Sequence, residues 1–99
     1  MEETMSTDTF VKLINLTFAE NSRVPSHAQG EILRYFNGRC RGGSFMNAVL
    51  SNDLMGAVSR ADHINIEEFY HTVRWIDSNL PTICYGSPEK VEDWLKGRT

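Results

Sequence analysis

Apolar residues recur at helical spacing along most of the chain, and in one stretch they cover most of the helix circumference. This stretch is residues 44–61, placed at 100° steps. A helix that is apolar nearly all round is a buried one, so we expect a single helix over about 44–61 at the centre of the domain. Its polar residues, among them Asn52, Asp53 and Arg60, argue against a membrane span.

Four amphipathic stretches predict the helices that surround this central one. Typical N-cap residues begin them, and Asn37-Gly38 and Pro81 end two of them. They cover about residues 6–21, 26–38, 62–80 and 87–97. The sequence therefore predicts an all-α fold, a compact bundle of about five helices, in a single domain of 99 residues.

Composition narrows the class of protein. Hydrophobic residues make up 40% of the chain, which argues against wholesale disorder. A domain this small leaves much apolar surface exposed unless it associates, so we expect a homo-oligomer. No segment predicts a membrane span, and the acidic N-terminus is not a signal peptide. Cys40 and Cys84 form no metal or redox motif, and the histidines have no metal spacing, so we expect no cofactor and a cytoplasmic location.

The net charge of −3 is unevenly distributed along the chain. Residues 21–52 carry four arginines against one glutamate, whereas residues 1–20 and 53–99 are both acidic. Arginine is suited to bidentate recognition of phosphate or carboxylate groups. The whole chain is too acidic for a general duplex-DNA binder, so a small anionic ligand or an acidic protein surface fits this pattern better.

The turn before the central helix has the composition of an anion site. Arg39 and Arg41 lie on its approach, and Gly42 and Gly43 give it backbone freedom. Ser44 can then cap the helix, whose free N–H groups and dipole attract an anion. The spacing is not that of a P-loop. The alternative is an ordinary capped loop with two solvated arginines.

Other polar and aromatic residues could extend this site. Asp53 and Arg60 lie two helical turns apart on one side, with Asn52 nearby, so a ligand could bridge them. The alternative is that each is satisfied locally. Tyr35 could stack on a base, although such a tyrosine is more often part of the core with its hydroxyl at the rim.

Trp75 and His71 form a second candidate surface. Both lie on the side of the 62–80 helix opposite its apolar stripe, and an outward tryptophan is a typical anchor of a protein interface. The alternative is that the C-terminal helix folds back over Trp75. Catalysis has little support, because Cys40 has no recognisable base partner in the sequence, so we expect a protein that is not an enzyme.

Three motifs of this chain resemble those of a family of small proteins encoded by tailed phages. They are GGSFMNAVLSNDL at 42–54, RAD at 60–62 and CYGSPE at 84–89. The family carries a similar GG-S-F-L-x-A-V-L-x-N-D-L core, an R-A-D and a C-W-G-S-P-E near its end. The resemblance covers roughly residues 30–95, and this chain departs from it at Tyr85 and in an additional N-terminal helix. The resemblance implies an accessory phage protein that acts in the cytoplasm of the infected host. It does not imply a particular activity.

These observations give two functional hypotheses. The first is a phage counter-defence protein that captures a small anionic, nucleotide-like ligand. Its arginines would contact phosphate, its glycine turn would donate backbone N–H groups, and Asn52 or Asp53 would bind a sugar or base. The second is an inhibitor that docks on a host or defence protein through Trp75, His71 and the basic patch. A structural protein of the virion is a third possibility.

Overall fold

The structure, a computed structural model, describes residues 16–99. Within them six α-helices and one short 3₁₀-helix follow one another, and no strand is present in this part of the chain. The helices are α1 (Ser26–Gly38), α2 (Ser44–Leu50), α3 (Leu54–Arg60), α4 (His63–Glu67), α5 (Phe69–Asn79) and α6 (Pro88–Leu95), and the 3₁₀-helix is Thr82–Cys84. The predicted all-α bundle is confirmed.

The first predicted helix, over about 6–21, lies mostly outside the described residues. The part that the structure describes is not helical: residues 16–19 are irregular, and a turn follows at Glu20 and Asn21. Leu16 and Phe18 nevertheless pack against the core. Residues 16–21 therefore contribute to the packing of the domain without being helical.

The predicted single helix over 44–61 is wrong, because α2 and α3 divide it. Asn52 has a φ of 63°, a left-handed conformation that a continuous right-handed helix does not contain. The next residue, Asp53, accepts a hydrogen bond from the Gly56 N–H at 3.0 Å and so caps α3. Residues expected on the surface of one helix therefore form the turn between two.

The predicted helix over 62–80 is also divided. Asp62, one of the two N-cap candidates in the sequence with Asn65, caps α4 by accepting the Asn65 N–H at 2.8 Å. Glu68, with φ −103° and ψ 15°, then separates α4 from α5. The start of α6 matches the prediction, since the Ser87 hydroxyl accepts the N–H three residues further on at 3.1 Å.

The main core lies where α6 packs against α1. The Trp94 ring is buried there and stacks on Phe36, with ring centroids 5.5 Å apart. Its indole N–H donates to the Tyr35 carbonyl oxygen at 2.9 Å. The Tyr35 hydroxyl in turn donates to the Cys84 carbonyl oxygen at 2.6 Å. The Cys84 side chain is buried as well, and this burial raises the pKa of its thiol to about 12. The polar atoms of these two large side chains are thus paired inside the core.

A second, smaller cluster joins α2, α3 and α5. Its buried residues are Phe45, Ala48 and Ala57, and the Phe69 ring packs on Phe45 with centroids 6.1 Å apart. Two of the three buried side chains in this cluster are alanines. Ala57 is the buried residue of α3, so this helix is buried on one side only. The prediction that residues 44–61 are buried nearly all round therefore holds for α2 and not for α3.

Replacing Tyr35 by phenylalanine should lower the free energy of unfolding by about 1–3 kcal/mol, because the buried Cys84 carbonyl oxygen loses its donor. Tyr70→Phe is the matched control, since Tyr70 is 62% exposed, and it should change this free energy by less than about 0.5 kcal/mol. Urea denaturation followed by tryptophan fluorescence measures both. Equal effects of the two substitutions would contradict the role assigned to the Tyr35 hydroxyl.

Candidate functional site

The Gly-Gly turn, predicted as an anion site, already holds a carboxylate of the protein itself. Gly43 is the N-cap of α2 and Ser44 is its first residue, so the Ser44 hydroxyl does not cap this helix. The Gly43 N–H donates to Oε2 of Glu31, on α1, at 2.6 Å. A Cβ on Gly42 would lie 3.3 Å from the same oxygen. Glu31 therefore occupies the position that an external anion was predicted to take.

Both predicted phosphate-binding arginines hold α6 in place. The Arg39 guanidinium lies 4.0 Å above the Trp94 ring, and it donates to the Trp94 carbonyl oxygen at 2.9 Å and the Thr99 carbonyl oxygen at 2.8 Å. Arg41 donates to the Asn47 side-chain oxygen at 2.9 Å and pairs with Glu92 at 2.6 Å. The basic turn thus serves as a clamp between α1, α2 and α6.

Tyr35 and Arg60 do not extend an anion site at this turn. Tyr35 is 1% exposed, so the predicted stacking on a ligand is corrected to a position in the core. Arg60 donates to the Gly56 carbonyl oxygen at 3.1 Å. A Cβ on Gly56 would collide with both the Asp53 carboxylate and the Arg60 guanidinium. These two side chains, predicted to be bridged by a ligand, therefore lie over Gly56 instead.

Trp75 is half-buried, and neither sequence interpretation describes its surroundings. Its ring stacks on Phe18, with centroids 4.0 Å apart and planes 18° apart. The segment before α1 therefore covers the Trp75 ring, and the C-terminal helix does not. His71 lies one turn earlier on α5, with Nε2 3.9 Å from Oε1 of Glu68.

An apolar groove of about 590 Å³ lies between α5 and the unit formed by α2 and α3. Asn52 and Asp53, two of the predicted ligand-binding residues, lie on its edge. The volume and apolar lining are those of a typical binding pocket. The apolar side chains that line it are Val49, Leu54, Ala57, Phe69, Val73 and Ile76.

The polar edge of this groove carries more negative than positive charge. Its carboxylates belong to Asp53 and Asp77, and its guanidinium belongs to Arg74, which donates to the Tyr70 hydroxyl at 2.8 Å. The pKa of Tyr85 is raised, first by burial and then by the negative charge of Asp77.

Three exposed apolar side chains, Leu54, Tyr70 and Val73, line the groove. Within the described residues, all of the large apolar side chains that are exposed fall between positions 54 and 73. Contiguous exposed apolar patches mark interaction surfaces, whereas single exposed apolar residues are normal. These residues, with their exposed fractions, are Leu54 59%, Met55 75%, Val58 44%, Ile64 46%, Ile66 42%, Tyr70 62% and Val73 40%.

Most of this groove does not follow from the sequence pattern. Leu54 and Val73 belong to apolar faces that the helical spacing predicts to be buried. Tyr70 and Arg74, four residues apart, carry no signal of a site in the sequence. The signal that could have revealed the groove is the Asn52-Asp53 pair, since both residue types favour turns and helix caps.

No family model, curated protein or solved structure matches this chain. In residues 16–99 the structure also contains no helix with the length and apolar character to cross a membrane. The same part of the chain holds no group of three or more His, Cys, Asp or Glu side chains that could bind a metal ion. The function has to be inferred from the surfaces themselves.

The clamp assigned to Arg39 can be tested against the more exposed pair made by Arg41. Arg39→Ala should lower the free energy of unfolding by about 1–3 kcal/mol, since it removes a cation–π contact and two hydrogen bonds. Arg41→Ala should cost less than about 1 kcal/mol, because a largely exposed ion pair contributes little. Urea denaturation measures both. Stabilisation by millimolar phosphate that both substitutions abolish would contradict the clamp and favour the anion site.

Proposed function

We propose that this protein is a small binding protein whose apolar groove receives an amphipathic helix of a partner protein. The single observation that supports this proposal most strongly is that the exposed apolar side chains of Leu54, Tyr70 and Val73 line the groove. Burial of apolar surface against a partner stabilises the complex by about 25 cal/mol for each Å² removed from water. Binding to a partner therefore accounts for this exposed surface, and a catalytic activity is not needed to explain it.

The shape of the groove favours a helix as the occupant. Its walls are themselves helical: Leu54 and Ala57 come from α3, and Val73 from α5. A third helix can pack between two others with interaxial distances of 8–10 Å. Helix-in-groove recognition uses apolar anchors at i, i+3, i+4 and i+7, and the exposed aliphatic side chains here provide the complementary surface.

Charge indicates the composition of that helix. Because the edge of the groove carries two carboxylates against one guanidinium, a partner segment with lysine or arginine beside its apolar positions is complementary. The chain's own residues 1–15 are apolar at Phe10, Leu13 and Ile14, but they carry three acids against one base. That like charge disfavours them as the occupant, so we assign the groove to another protein.

The resemblance to small tailed-phage proteins suggests the setting. In that setting the partner is a host or defence protein, and the complex forms in the cytoplasm of the infected cell. This proposal keeps the inhibitor hypothesis, but it places the docking surface at the groove instead of at Trp75 and the basic patch. Capture of an anionic ligand at the Gly-Gly turn has less support, because Glu31, Trp94 and Glu92 already engage the donors of that turn.

Photo-crosslinking tests the proposal on the full chain. A benzoylphenylalanine placed at Val73 should crosslink to a segment that has apolar residues at helical spacing together with lysine or arginine. A synthetic peptide of that segment should bind the wild-type protein with 1:1 stoichiometry. Val73→Asp and Leu54→Asp should each weaken the affinity for the peptide by about tenfold or more, since each substitution replaces an apolar contact by a carboxylate that must lose its water.

Ser26→Asp is the matched control, because Ser26 is exposed at the start of α1 and adds the same charge outside the groove. It should leave the affinity unchanged, and circular dichroism should show that all three variants remain folded. A crosslink from Val73 to a second copy of this chain, or to its own residues 1–15, would contradict the proposal. So would a peptide affinity that Val73→Asp does not change.

A further inference from the structure

A second, smaller depression of about 230 Å³ lies on the other side of α5. The segment before α1 contributes Arg23 to it, and α5 contributes His71, Arg74 and Trp75. The residue that lines both this depression and the apolar groove is Arg74. Two surfaces of different chemistry therefore lie on α5, and they share Arg74.

The lining of this depression contains cationic groups and no carboxylate. Its charged or chargeable side chains are Arg23, His71 and Arg74. The Glu68 carboxylate contacts two of these groups: its Oε2 accepts from Arg23 at 3.0 Å, and its Oε1 lies 3.9 Å from His71 Nε2. Two guanidinium groups against one carboxylate leave a net positive charge even when His71 is neutral.

Hydrogen-bond donors remain for a ligand. A guanidinium carries five N–H donors and a neutral histidine carries one. In the structure Arg23 donates to Glu68 and Arg74 donates to Tyr70. Each guanidinium thus uses a minority of its donors.

We infer that this depression is an anion site that binds the phosphate group of a small molecule through Arg23, Arg74 and His71. Arginine pairs with the oxygens of phosphate in a bidentate geometry. The volume of about 230 Å³ lies below the range of pockets that enclose a whole drug-sized ligand, so the phosphate is held here and the rest of the molecule extends outward. This site is separate from the proposed protein partner of the groove.

Trp75 provides the signal for a test, because it lines the depression whereas Trp94 is 1% exposed. Tryptophan fluorescence of the full chain is titrated with inorganic phosphate and with pyrophosphate, at constant ionic strength. We expect a saturable change. Arg23→Gln and Arg74→Gln should each weaken the binding of pyrophosphate by about tenfold.

Arg60→Gln is the matched control, since Arg60 is an exposed arginine outside this depression. The affinity of this variant for pyrophosphate should equal that of the wild type. Glu68→Gln should strengthen binding, because it removes the competing negative charge. Absence of a saturable change in the wild type would overturn the inference. An equal loss in Arg60→Gln would also overturn it, since it would reveal a general charge effect. Neither result bears on the peptide affinity of the groove.

Discussion

The packing of Trp94 against α1 is the interaction on which the rest of the structure depends. The indole ring stacks on Phe36, its N–H is paired with the Tyr35 carbonyl, and its own carbonyl accepts from Arg39. The Arg39 guanidinium also lies over the ring. The Trp94 side chain therefore contacts the aromatic ring of Phe36, the backbone carbonyl of Tyr35 and the cation of Arg39. This arrangement closes the bundle at the end where the basic turn lies, and it explains why the arginines of that turn are engaged within the protein.

The domain consequently has two different sides. On one side α1 and α6 bury large side chains and pair their polar atoms. On the other side α2, α3 and α5 meet through a small cluster of Phe45, Ala48, Ala57 and Phe69, and several large apolar side chains of residues 54–73 remain exposed. A small domain cannot bury all of its apolar residues, and within residues 16–99 the large apolar side chains that are exposed all fall in a single stretch. The binding proposal rests on this asymmetry.

Local signals in the sequence predict much of the fold. The all-α class, the bounds of α1 and the start of α6 follow from periodicity and from capping residues such as Asp62 and Ser87, because these features act over a few neighbouring positions. The division of residues 44–61 was missed for a related reason: the apolar pattern continues through Asn52 and Asp53, while the left-handed backbone and the cap interrupt the helix.

The candidate site was less predictable because its decisive contacts are distant in sequence. Arg39 meets Trp94 across 55 positions, and Glu31 reaches Gly43 from a different helix, so composition alone suggests free donors where the fold supplies partners. A helical wheel assigns Leu54 and Val73 to an apolar face, but it does not determine whether that face meets the core or the solvent. The groove follows only from the arrangement of α3 and α5.

Hydrogen exchange of the full chain, alone and in its isolated complex with the partner, tests the central claim most directly. If the groove is the binding surface, amide exchange should slow in residues 49–58 and 69–77, which form its walls, and should remain unchanged in residues 39–44. Slower exchange confined to 39–44, with the groove unaffected, would contradict the account and return the function to the Gly-Gly turn.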